Sequence, residues 1–139
     1  MIMKNPSRAN ERISDQTINT ILEIFHRFGY AKVYVTNLIP VYSTDQTDIS
    51  DKEDLSLYAE NDRIISELAE SVSRIFVGWG ENNGIDYDFY SERITAIKKL
   101  LKGKTAYCYT KNRSGNPKHP SRRQWKYDKQ ESDYAIIEF

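Results

Sequence analysis

Short β-branched or apolar runs alternate with segments whose apolar residues recur every three or four positions, and this alternation restricts the fold more than any other feature of the chain. The apolar start Ile2-Met3-Lys4 is broken by Asn5-Pro6-Ser7, because proline removes a ladder donor and disfavours helical backbone at the residue before it. Ser14 or Asp15 can cap a helix whose apolar positions are Ile18, Ile21, Leu22, Phe25 and Phe28. Gly29 stands where a left-handed C-terminal stop is expected. Ala31 to Ile39, rich in β-branched residues, predicts a strand.

The polar, acidic stretch from Pro40 to Asp54 reads as a long loop. A second helix is expected over Leu55–Val72, with Leu57, Ile64, Ile65, Leu68 and Val72 on its buried side. Arg74 to Gly80 reads as a buried strand ending in a glycine-flanked turn, and Glu81-Asn82-Asn83-Gly84 as a plain polar turn. A third helix, about Asp86 to Leu101, is closed by Gly103, with Asp86 and Asp88 placed to interact with its dipole. Thr105 to Thr110 predicts the fourth strand, 111–130 a basic irregular loop, and Tyr134 to Phe139 an edge strand or a docked tail. The β-α-β-α-β-α-β order predicts a three-layer α/β/α sandwich around a mainly parallel four-stranded sheet, and 139 residues suit one domain over residues 1–139. Ligands in such sheets bind beyond the carboxyl ends of the strands, which selects Asn5, Asn37, the turn after Trp79 and the loop holding His119.

Composition removes several classes. No run approaches the roughly 18 apolar residues of a membrane helix. The N-terminal residues lack the apolar core and cleavage site of a secretory signal, so the expectation is a cytoplasmic protein. One cysteine, Cys108, cannot form an intramolecular disulfide, and with two histidines a zinc cage is not expected. A buried structural thiol is the ordinary reading of Cys108. Neither GxGxxG nor GxxxxGK[ST] occurs, nor a Gly-x-Ser-x-Gly elbow, and no cofactor is implied.

The net charge of zero hides a segregation. Residues 98–129 hold eleven basic side chains against the single acid Asp128, whereas residues 1–97 hold 9 basic and 16 acidic ones. Such asymmetry suggests a polyanion-binding face over residues 98–129, with Lys111, Arg113, Lys118, Ser121, Arg122, Arg123, Trp125 and Lys126 as its candidate DNA-contacting residues; the plain alternative is a solvated helix end followed by a basic loop. Asn5 behind a proline turn can orient a water or contact a ligand. Asn37 carries both a donor and an acceptor, enough to read a base edge, although buried asparagines usually satisfy backbone groups. His119 in the basic loop can stabilise a developing oxyanion or simply be exposed. Trp79 and Trp125 offer stacking surfaces, and the ten tyrosines are expected mostly in packing.

In order, Asn5-Pro6-Ser7, Asp15-x-Thr17, Val33-Tyr34-Val35-Thr36-Asn37-Leu38, Gly78-Trp79-Gly80 and Thr110-Lys111 with Pro117-Lys118-His119-Pro120 resemble the bacterial and phage family called domain of unknown function 1643. More distantly, the chain resembles the uracil-DNA glycosylase superfamily. That superfamily has an Asp-Pro or Asn-Pro after its first strand, an asparagine ending the second, in some members a Trp-Gly pair after the third, and a late His-Pro-Ser. Asn5-Pro6, Asn37, Trp79-Gly80 and His119-Pro120-Ser121 stand at those places.

The resemblance implies a uracil-DNA glycosylase-like fold and N-glycosidic cleavage of a flipped base, as in DNA repair. By resemblance, Asn5 positions the attacking water, Pro6, Asn37 and Trp79 form the base site, and His119 stabilises charge on the departing base. Two departures bear on this. An asparagine at position 5 cannot accept a proton as an aspartate would, and Arg122-Arg123 replaces the apolar wedge of uracil-specific members. The sequence thus leaves three readings open: a DNA-binding base-excising hydrolase, an inactive DNA-binding relative, and a module for free bases or nucleotides. Self-association through the acidic and basic parts is a further class, and no membrane partner is expected.

Overall fold

The structure, a computed structural model, describes residues 1–6, 15–43, 49, 55–121 and 129–139. Its elements are β1 (Ile2–Met3), α1 (Gln16–Arg27), β2 (Thr36–Asn37), α2 (Leu55–Ser71), β3 (Ile75–Phe76), α3 (Tyr87–Leu100), β4 (Thr105–Cys108) and β5 (Ala135–Glu138), with a short 3-10 turn at Glu131–Asp133. The chain is mixed α/β, as its alternation implies.

Local signals act where expected. The Asp15 carboxylate accepts from the Ile18 amide at 2.8 Å and opens α1; Asp86, expected only to interact with the helix dipole, caps α3 by accepting from Phe89 at 2.9 Å. Gly29, at φ +84°, turns the chain out of α1, its amide donating to the His26 carbonyl.

The sheet differs from expectation. In place of one four-stranded parallel sheet there are two small ones: parallel β1–β2, and β3–β4–β5, in which β3–β4 is parallel and β4–β5 antiparallel. They meet at one parallel bridge between Ile2 and Val77, with the Gly78 amide donating to the Ile2 carbonyl at 2.9 Å. The ladders are short because Asn5-Pro6 ends β1 after Lys4. Only Thr36, Leu38 and Ile39 find carbonyl partners there (Met1, Met3 and Lys4), so the β-branched stretch 31–35 stays outside the ladder. Tyr134–Phe139 supplies the antiparallel edge strand β5.

Successive strand residues enter different apolar clusters. Ile2, Ile75, Val77, Ala106 and Cys108 pack with Tyr58 and Ile65 of α2 and with Phe89, Tyr90, Ile94 and Ile97 of α3. Met3 and Phe76 pack with Ile21, Ile24 and Phe25 of α1 and with Tyr109 and Tyr134. Phe25 and Phe76 lie 4.5 Å apart, and Tyr134 meets Phe76 and Tyr109 edge to face. The helix faces are narrower than their periodicity suggests: Leu22 of α1 and Leu57 and Ile64 of α2 are exposed, while Tyr58 takes the buried place on α2. Among the described residues, no helix is long and apolar enough to cross a membrane.

Candidate functional site

The carboxyl ends of β1, β2 and β3 converge with the loop after β4. Leu38 donates to Met3 and Ile39 to Lys4, both at 2.8 Å, which sets the chain just after Asn37 beside Lys4-Asn5. The loop after β4 returns at Lys111 to bridge Pro117, and Lys118 donates to Thr110 at 2.8 Å. Gly80 then donates to the Pro117 carbonyl at 2.9 Å, which docks the segment holding His119 on the end of β3.

Two glycines permit that docking. A Cβ at Gly80, where φ is +74°, would lie 3.1 Å from the His119 Cβ. At Gly78 it would lie 2.7 Å from the end of the Met1 side chain, 2.9 Å from the Pro120 ring and 3.3 Å from the Lys118 carbonyl. The Gly-Trp-Gly sequence is therefore the seat of the His119-Pro120 segment.

Desolvation dominates the electrostatics. It pushes the His119 pKa down to about 4, aided by the positive charge of Lys4 and opposed by Asp15, so the imidazole is neutral at pH 7. Lys4 is 5% exposed, and burial lowers its pKa to about 8 against the opposing pull of Glu81. Glu81 itself accepts from the Ser114 hydroxyl at 2.6 Å and from the Asn116 amide at 3.3 Å, which ties the turn after β3 to the loop after β4. The Tyr90 hydroxyl donates to the Trp79 and Gly80 carbonyls, each at 3.1 Å, and burial with nearby Glu81 raises its pKa.

At the β2 end, the backbone is held from the helices. The Asn61 side chain donates to the Asn37 carbonyl at 3.0 Å, and Arg93 donates to the Leu38 carbonyl while pairing with Asp62. Two buried polar side-chain atoms here lack a hydrogen-bond partner, the Asn37 Oδ1 and the Trp79 Nε1. An acceptor and a donor buried unsatisfied each cost about 1–3 kcal/mol, a cost that a ligand able to bond them would relieve.

Of the residues singled out by sequence, Asn5, Pro6, Asn37, Trp79 and His119 all belong to this end of the molecule. Trp79 is 1% exposed and packed among α2 and α3 side chains. Lys111 and Arg113 are exposed and Lys118 half-buried, all in the loop after β4; Ser121 donates its amide to the His119 carbonyl at 2.8 Å. Arg122, Arg123, Trp125 and Lys126 lie outside the described residues. The basic segment does not form one patch: Lys98, Lys99, Lys102 and Lys104 precede β4 and so lie at the opposite end of that strand from Lys111, Arg113 and Lys118. Lys104 is also paired with Glu70 at 2.8 Å.

Sequence reasoning missed Lys4, Glu81, Asn61, Tyr90 and Arg93. Glu81, taken above as part of a plain polar turn, is instead the anion that holds the Ser114–Asn116 loop and faces the field of Lys4. A lysine inside an apolar strand directly before Asn-Pro was the available signal. Among the described residues, no group of three His, Cys, Asp or Glu side chains is arranged to hold a metal ion. A cavity of about 320 Å³ opens at the amino ends of the strands, lined by Met1, Tyr34, Leu68, Val72 and Arg74 among others, and none of the residues selected from sequence borders it.

No curated protein and no solved structure matches the chain. The family described as protein of unknown function (DUF1643) matches residues 1–121, a span that runs from Asn5 through His119 and takes in every element of the site just described. The chain belongs to the DUF1643 family.

Proposed function

We propose that this protein binds DNA and cleaves the N-glycosidic bond of a deaminated or modified base, on a three-layer fold of the uracil-DNA glycosylase kind. The observation that carries the reading is the convergence of Asn5, Asn37, the Trp79-Gly80 turn and a neutral His119 beyond the carboxyl ends of the strands. The Asn37 side chain, with its unpartnered Oδ1, suits the edge of an extruded base. A neutral imidazole suits the departing base: its N–H can donate to an oxygen gaining negative charge without prior ionisation.

Water held by the Asn5 amide attacks C1′ as the C1′–N bond breaks, and the bonding pair leaves with the base. The proton of the water goes to solvent or to the base, since an amide does not accept it. Lys111, Arg113 and Lys118, with Arg122, Arg123, Trp125 and Lys126 by sequence, supply the phosphate and stacking contacts.

The test incubates the protein with uracil-containing single- and double-stranded oligonucleotides and reveals abasic sites with alkali. The variants Asn5→Ala and His119→Ala control for a contaminating enzyme. Cleavage lost in both variants supports the reading. Salt-sensitive retention without cleavage favours the inactive DNA-binding relative, for which the amide at Asn5 is the specific indication. Binding of free bases with little response to salt favours the nucleotide module.

A further inference from the structure

Lys4 has no part in the hydrolysis just described, yet it is a buried amine at the same carboxyl end. It is 5% exposed, directly precedes Asn5, and is coupled by charge to Glu81 after β3 and to His119 after β4. Burying a lysine costs free energy that the core does not recover, since a methionine or leucine would pack in its place. Among the described residues no carboxylate forms an ion pair with it. Desolvated amines of this kind are nucleophiles towards carbonyl carbon.

We infer that Lys4 forms an imine with the C1′ aldehyde of an abasic deoxyribose, which adds a strand-cleaving lyase step to base excision. The inference rests on the proposed DNA-binding reading. The neutral amine donates its lone pair to C1′, and the carbinolamine then loses water, with one proton delivered to the departing hydroxyl. The iminium acidifies C2′, whose proton passes to a base; the C2′–H pair becomes the C2′=C3′ bond as the 3′ phosphate leaves with the C3′–O pair. Water hydrolyses the imine and returns Lys4. No oxidant or reductant is consumed. His119, neutral and coupled to Lys4, is the candidate acceptor of the C2′ proton.

The depressed pKa of Lys4, about 8, agrees with this role because a usable fraction of free amine exists near neutral pH. Glu81 pulls that value up, while Asp15 acts on His119 in the same sense.

The experiment supplies an oligonucleotide with a preformed abasic site, adds sodium borohydride, and measures covalent protein–DNA adduct on a denaturing gel, with retention of the same oligonucleotide on a filter in parallel. The expected result is an adduct that peptide mapping places on Lys4 and that falls at least about 100-fold in Lys4→Met. Because the mapping uses the unaltered protein, it decides the matter even if Lys4→Met does not fold. An adduct on Met1 or a surface lysine overturns the proposal. Retention without any adduct overturns the lysine role and leaves the DNA reading standing; neither retention nor adduct overturns both.

Discussion

The Arg93 guanidinium on α3 grips the Leu38 carbonyl at the end of β2, with Nε and Nη2 at 3.2 and 3.1 Å. The same side chain pairs with Asp62 of α2 and lies 4.8 Å over the Tyr58 ring. One residue earlier, the Asn37 carbonyl is held by Asn61. Two helices thus fix the backbone from which Asn37 projects, although the ladder below it is only two residues long.

Arg93→Met removes both grips and leaves Asp62 and the Leu38 carbonyl unpaired, at a cost of about 3 kcal/mol in unfolding free energy. Urea denaturation checks the size. Arg93→Lys restores the charge without the forked geometry and should recover only part of the loss.

Asn37→Leu should separate function from stability. The replacement is of similar volume and removes an unpartnered buried acceptor. Thermal unfolding should therefore move little or upward, while base excision or base binding disappears. A variant that unfolds readily would show that the amide serves the fold.

His119 makes stability depend on pH. Its folded pKa of about 4 lies below the ordinary value of 6.5, so between those values the unfolded chain binds a proton that the folded chain does not. Stability is thus present in full above about pH 6.5 and falls as pH drops towards 4, by on the order of 2–3 kcal/mol from this group. His119→Asn should flatten that part of the profile, which chemical denaturation at pH 7, 5.5 and 4.5 would read.

Gly80→Ala forces a side chain into a backbone at φ +74° and to within 3.1 Å of the His119 Cβ. The expected cost is about 1–2 kcal/mol, accompanied by displacement of the imidazole. Activity should fall more than stability; the reverse would mean that the seat under His119 is slack.

Lys118→Ala should weaken oligonucleotide retention about equally for all sequences and reduce the slope against log salt by about 1. Lys99→Ala, on the far side of β4, should leave that slope unchanged. Equal effects from both would assign retention to charge spread over the whole molecule.

The helix ends were legible in the sequence because capping is a local event: Asp15 meets Ile18 and Asp86 meets Phe89, three residues on, whatever the rest of the chain does. So was the order of Asn5, Asn37, Trp79-Gly80 and His119, since an α/β alternation delivers strand ends to one side. Tertiary structure alone decided the rest. The number of ladder partners available to residues 31–39 depends on where β1 stops, and the role of Glu81 depends on a lysine 77 positions earlier and a loop more than thirty positions later. Burial likewise turns two ordinary side chains, Lys4 and His119, into a poised amine and a neutral imidazole, and desolvation is a property of the packed interior rather than of any stretch of sequence.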